Sequence, residues 1–327
     1  MPAYPSFLFP SSSSFSLPQS TGHLIVKHIK QVWRAATRSI AVMLTIVFVT
    51  GCASSTADRY RTVEQEAAAS GFSAVRFGLA PPLIGMLRAT GNSQTASRNE
   101  PQTLWIMIEG DGRAWLNMRE PSRDPTPVDA VGWRLAQNIS RAKVLYLARP
   151  CQFLSPVELQ TCAVDDWTNA RFSEKWVGRL NVAIEDAKRT THARQIVIAG
   201  YSGGGVMAAL IAARRDDVAA LITIAAPLDH AAWTAHHGVA PLTGSLTVLS
   251  VREKLMRLPQ VHVTGAEDKV VPTGLLQDFL RVYPADAPAE LVILPGIDHR
   301  MRTAIDISRI RSSRLLSQSV DDRDTYP

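Results

Sequence analysis

Ser202 stands in the run Gln195-Ile-Val-Ile-Ala-Gly200-Tyr201-Ser202-Gly203-Gly204-Gly205. An apolar stretch leads into Gly-x-Ser-x-Gly, and a stretch rich in Ala and Leu follows it. A serine on a tight strand-to-helix turn has its hydroxyl pushed out at the carboxyl edge of a sheet, where it can act as a nucleophile. Glycines two residues before and two after are needed there, because side chains would collide with neighbouring backbone. A lone hydroxyl is a weak nucleophile, so it also needs a base to take its proton and an acid to orient that base. Two blander readings compete: a Gly-rich turn, or a loop that cradles phosphate. The phosphate loop would want a Gly-Lys-Ser/Thr ending, which is missing here.

The elements that must position this serine are legible as an alternation. Thr103–Ile108 is a short continuous apolar run ending in Glu109-Gly110-Asp111-Gly112, as in a strand buried on both faces of a parallel sheet. Further strands are expected over 72–77, 83–89, 143–148, 195–199, 219–225, 260–264 and 290–294. Helices are expected over 62–70, 128–137, 174–189, 204–215, 275–282 and 302–315. This rhythm predicts an α/β domain over residues 62–317 with a mostly parallel central sheet covered on both faces. The 34 or so residues of 226–259 leave room only for a small cap. Residues 318–327 are expected to be a frayed tail.

The chain has 327 residues, 46% of them hydrophobic, which excludes disorder as an overall description. The net charge is +6, but Lys27, Lys30, Arg34 and Arg38 lie in a leader without Asp or Glu, and removing those four leaves +2. The body is nearly neutral and gives no case for a nucleic-acid partner. After the basic residues come the apolar run Ile40–Val49 and then Thr50-Gly51-Cys52. That order describes a secretory signal over residues 1–51, too short to span a bilayer, with a buried N-terminal helix as the alternative. Cys151 and Cys162 have ten residues between them, which excludes a Cys-x-x-Cys pair. In an exported chain they most simply form one disulfide, the alternative being two reduced core thiols. No cluster has metal-ligand spacing, so neither metal nor cofactor is expected.

Two resemblances add to this reading. Val49-Thr50-Gly51-Cys52 resembles the lipobox of bacterial lipoproteins, which implies that Cys52 carries a diacylglycerol, that a polar tether runs over residues 52–61, and that the protein faces the periplasm. Ala53, rather than Asp, at the next position points to the outer membrane. Most of residues 72–315 resembles the α/β-hydrolase family, whose triad runs serine, acid, histidine. Residues 260–272, Gln-Val-His-Val-Thr-Gly-Ala-Glu-Asp-Lys-Val-Val-Pro, then put Asp268 in the acid position. Glu267 is adjacent, and Asp229 follows the preceding strand, where some members carry the acid. The base position after the last strand is filled by His299; His230, His236, His237 and His262 are read as surface or packing residues. The oxyanion hole is implied at the backbone N–H groups of Gly203 and Asp111, although a glutamate, Glu109, stands where the family often has His. Tyr201, Trp115 and Trp233 are candidate pocket walls, and the segment from Arg149 to Cys162 a braced rim. The implied activity is cleavage of a small-molecule or lipid ester, with a serine peptidase or amidase, or a catalytically idle envelope binding protein, as alternatives.

Overall fold

The computed structural model describes residues 55–78, 80–89, 103–117, 119–139 and 142–302. The leader, Cys52, residues 303–315 of the last expected helix and the tail lie outside them. Among the described residues no helix is long and apolar enough to cross a membrane.

Helix α1 spans Thr56–Ala69, starting six residues before the expected Thr62 and taking up most of the stretch read as a tether. The reason is local. Ser55 accepts from the Asp58 N–H while the Asp58 carboxylate accepts from the Ser55 N–H, closing a capping box. Val63 and Ala67 then bury one stripe of an otherwise polar helix. Polarity was the signal for a tether, and the cap overrules it.

Eight strands follow: β1 Ser73–Phe77, β2 Leu83–Arg88, β3 Thr103–Ile108, β4 Lys143–Leu147, β5 Gln195–Tyr201, β6 Val218–Ile224, β7 Gln260–Gly265 and β8 Ala289–Leu294. They form one sheet in the order β1-β2-β4-β3-β5-β6-β7-β8, in which β2 alone runs against the rest. Every residue of β2 through β7 is buried, as the continuous apolar runs require of strands covered on both faces. The helices between them are α2 Val131–Gln137, α3 Pro156–Leu159, α4 Glu174–Thr190, α5 Gly203–Ala212, α6 His230–His237, α7 Arg252–Leu255 and α8 Thr273–Leu280. Stepping from β3 to β4 moves one way along the sheet; β4 to β5, β5 to β6 and β7 to β8 move the other way. Right-handed crossovers therefore put α2 on one face and α4, α5 and α8 on the other. The segment between β6 and β7 holds only α6, a 3₁₀ turn and α7, which makes the small cap expected of it.

On the α2 face, Phe72, Trp133 and Tyr146 stack edge to face, with ring centroids 5.1 and 5.4 Å apart. On the other face Trp176 is fully buried in α4. These rings fix the helices against the sheet and so fix where the loops at its carboxyl edge emerge.

Candidate active site

The serine loop is built as its glycines predict. Ser202 sits between β5 and α5 with φ 50° and ψ −124°, a strained conformation for a residue with a side chain. A Cβ on Gly200 would lie 2.1 Å from the Gly204 carbonyl oxygen, and one on Gly204 would lie 2.4 Å from the Glu109 carbonyl oxygen. Neither position tolerates a side chain, so the turn can pass this close to β3 only with glycine at both. The Ser202 N–H donates to the Ile224 carbonyl at 2.8 Å, which pins the strained residue to β6.

The acid and base come from the other half of the sheet. Asp268, in the loop after β7, accepts at Oδ1 from the Val270 and Val271 N–H groups, both at 2.8 Å. Its Oδ2 lies 2.8 Å from His299 Nδ1. The Asp268 side chain is fully enclosed and that of His299 is 17% exposed. Of the three carboxylates considered for the acid, Asp229 instead caps α6 through the Ala231 and Ala232 N–H groups, and Glu267 is exposed. His299 is steadied by Tyr201, whose hydroxyl donates to the His299 carbonyl at 2.8 Å. Arg134 holds the next two carbonyls, of Arg300 and Met301. Ser202 and His299 line one cavity of about 660 Å³ but make no hydrogen bond to each other. In an unliganded site such contacts are often long and tighten only around substrate.

The loop after β3 resolves the question raised by Glu109. Its carboxylate is turned under the loop. It accepts from Gly110 N–H at 2.9 Å, from Gly132 and Trp133 N–H at the start of α2, and from the Tyr146 hydroxyl. Burial pushes its pKa up while these four donors pull it down. An acidic side chain is thus kept off the place where an oxyanion would form. Asp111 is gripped differently: Arg149 Nη1 donates to Oδ1 at 2.8 Å and Arg171 Nη1 to Oδ2 at 2.9 Å. The Asp111 carboxylate lies against the start of α5, since a Cβ on Gly203 would come within 2.0 Å of Oδ1. The N–H groups of Gly203 and Asp111 donate to no acceptor among the described residues.

A disulfide joins Cys151 to Cys162. It closes the segment after β4, whose Gln152 donates to the Gly110 carbonyl at 3.0 Å and accepts from the Arg149 N–H at 3.0 Å. The expected braced rim therefore touches the oxyanion loop. Asp166 lies near both sulfurs, but these are bonded to each other and leave no thiolate for a metal.

No protein-family model matches the chain, and no curated protein matches it by sequence. Solved structures do match. Est1E from Butyrivibrio proteoclasticus superimposes over 76% of this chain and 99% of its own, at 18% identity and TM-score 0.50. Lip1 from Acinetobacter baumannii AYE does so over 81% and 97%, at 14% identity and TM-score 0.51. XC6422 from Xanthomonas campestris, an α/β serine hydrolase without a lid, covers 78% and 96%, at 14% identity and TM-score 0.49. The chain has the α/β-hydrolase fold.

Within this α/β-hydrolase fold, the triad candidates, both oxyanion candidates, Tyr201, Trp115 and Trp233 all lie at the carboxyl edge of the sheet. His262 does not: it is fully buried, within 2.7 Å of Thr223 Oγ1 and 2.9 Å of Gln260 Oε1, and burial pushes its pKa down to about 3. Sequence reading gave Arg171 no role, took His230 for a surface or packing residue, and placed Arg149 only at the start of the rim. Arg149 and Arg171 form the grip on Asp111, and His230 lines the cavity from the cap. The one available signal was that Arg149 and Arg171 flank the cysteine pair on either side. Nothing in the spacing says that two such cations converge on one carboxylate.

Proposed function

We propose that this chain is a serine hydrolase that cleaves carboxylic esters through Ser202, His299 and Asp268. The observation that carries the reading is the 2.8 Å contact between Asp268 and His299 at a cavity that also holds Ser202 on its strained turn. Asp268 takes the Nδ1 proton as acceptor, which leaves Nε2 free to act as base. Ser202 Oγ attacks the ester carbonyl carbon as its proton passes to His299. The carbonyl oxygen becomes an oxyanion held by the N–H groups of Gly203 and Asp111. The carbon–oxygen bond to the alcohol then breaks, and His299 returns the proton to the departing alcohol. Water attacks the acyl-serine with His299 again as base, and the acid leaves with Ser202 restored.

The small cap between β6 and β7 leaves room for a small substrate in the cavity. A peptidase or amidase would use the same atoms; the choice of esters rests on the small size of the cap that the described residues form between β6 and β7. An idle binding protein would have no need of a strained serine and a paired acid and base.

The test is labelling and turnover by the full-length chain. A fluorophosphonate should modify Ser202, and Ser202→Ala should lose about 10⁶ in turnover while staying folded. A folded Ser202→Ala protein that hydrolyses esters at the wild-type rate would end the assignment. The envelope location belongs to the same proposal and rests on Val49-Thr50-Gly51-Cys52. Two or more acyl chains on Cys52, each buried methylene contributing about 0.8 kcal/mol, would anchor it stably. Cys52→Ser should abolish labelling by a palmitate analogue and release the protein from membranes; a labelled Cys52→Ser protein would contradict it.

A further inference from the structure

Arg171 is 5% exposed, yet it lines the active-site cavity. Its Nη1 is spent on Asp111, at 2.9 Å. Its Nε is enclosed without a partner, and its Nη2 donates to no group among the described residues. The Nε–H and the neighbouring Nη2–H form one edge of the planar guanidinium, two parallel donors spaced to meet both oxygens of a carboxylate. That edge is open. Arg149 offers no such edge, because its Nη1 goes to Asp111 and its Nη2 to the Arg171 carbonyl.

The surroundings fit an anionic ligand. The guanidinium carbon of Arg171 lies 5.6 Å from the Phe172 ring and 5.9 Å from the Trp233 ring, which hold its plane in place. Arg149, Arg171 and Asp111 together carry one excess positive charge. The carboxylates that line the cavity are already engaged: Glu109 by its four donors, Asp111 by the two arginines and Asp129 by Arg134. None is free to repel an incoming anion. The location is also informative. Asp111 Oδ1 packs against Gly203, whose N–H is the proposed oxyanion donor, and Oδ2 contacts Arg171, so the unpaired edge is one carboxylate away from the reacting centre. An anion held there belongs to the same small molecule as the scissile ester.

We propose that Arg171 recognises a free carboxylate on the substrate, so that this site acts on small esters bearing a second, uncleaved acid group. The inference rests on the hydrolase reading and names its substrate class. The acid group lies in either the acyl or the alcohol half of the ester, and matched substrates tell these apart. Mono-p-nitrophenyl glutarate carries it on the acyl half, p-carboxyphenyl pentanoate on the alcohol half, and p-nitrophenyl and phenyl pentanoate are the neutral controls of equal acyl length.

With the full-length chain, one of the two carboxylate esters should exceed its neutral control in kcat/KM by about tenfold or more, equivalent to about 1.4 kcal/mol. Arg171→Lys keeps the charge and loses the flat two-donor edge; Arg171→Gln loses both. Each should bring the ratio of charged to neutral ester toward one, chiefly through KM. A merely structural role would slow both esters together and leave the ratio intact. Because the readout is a ratio within one protein, partial loss of stability in Arg171→Gln does not mask it, and Arg171→Lys stands as the milder variant. A wild-type ratio near one, or a ratio unmoved in both variants, overturns the carboxylate site while the hydrolase reading stands. Absence of Ser202-dependent turnover of every ester overturns both.

Discussion

The two walls of the cavity are held by different forces. On the oxyanion side, Asp111 is clamped by two arginines whose side chains are 4% and 7% exposed, Glu109 is enclosed with four donors, and a disulfide closes the adjoining segment. On the base side, His299 follows β8, an edge strand with no fully buried residue, and is steadied by Tyr201 and by a partly exposed Arg134. Under the proposed hydrolase reading, the contrast matches what each wall would have to do. Oxyanion donors stabilise developing charge only if they need not reorient when it appears, so they gain from a rigid setting. A base must come within hydrogen-bond reach of both the serine and the leaving group, contacts that are often long in an unliganded site and tighten around substrate. Rigidity on the first wall comes at a cost in desolvating charge, and it makes the wall intolerant of losing any one member.

Within this comparison the largest effect should come from breaking the link between Asp268 and the His299 ring. Asp268→Asn keeps an oxygen for the Val270 and Val271 N–H groups but presents an amide to Nδ1, favouring the wrong tautomer. We expect kcat to fall by about 10³ to 10⁴ with the thermal midpoint almost unchanged. A loss below about tenfold would mean that His299 needs no orienting partner.

Next comes a matched pair of truncations, one on each wall. Asp111→Ala leaves two enclosed guanidinium groups facing each other and should cost about 3–5 kcal/mol in urea unfolding. Arg134→Ala removes a partly exposed pair with Asp129 and should cost about 1 kcal/mol or less. Equal losses would dissolve the distinction between the walls.

An effect confined to acid sharpens the account of the base side. His262, on the strand that leads to Asp268, has its pKa held at about 3, below the ordinary 6.5 for histidine, so the unfolded chain takes up its proton first. Stability is therefore full above about pH 6.5 and falls as the pH drops toward 3, at up to about 1.4 kcal/mol per pH unit. Between pH 6.5 and 5, His262→Asn should lose about 2 kcal/mol less than the wild type in urea midpoints converted to free energy. Identical pH slopes for the two proteins would show that His262 is not the group responsible.

The parts of this molecule that were legible in sequence share a physical cause. The buried strands read true because a strand covered on both faces must be apolar along its length, as in Thr103–Ile108. The strand-to-helix turn at Ser202 read true because a side chain at 200 or 204 would meet backbone at 2.1 or 2.4 Å, a constraint written in residue type. The two cysteines paired as elimination suggested. The start of α1 was misjudged because composition was weighed above the Ser55–Asp58 cap, which the sequence did contain.

What only the tertiary structure decided concerns charge. The family resemblance put Asp268, ahead of Glu267 and Asp229, in the acid position, but it did not show what aims that carboxylate at His299. Asp268 does so because the turn after β7 donates two N–H groups to one of its oxygens and leaves the other aimed at the ring. Likewise Glu109 looked unsuited to an oxyanion loop until α2 supplied the donors that turn it away. Arg149 and Arg171 lie 22 residues apart in the chain and converge on an aspartate 38 residues before the nearer of them. A hydrophobic pattern records which face of an element is covered. The direction of a buried charge depends on donors brought in from distant segments, and the chain's own order carries no record of that meeting.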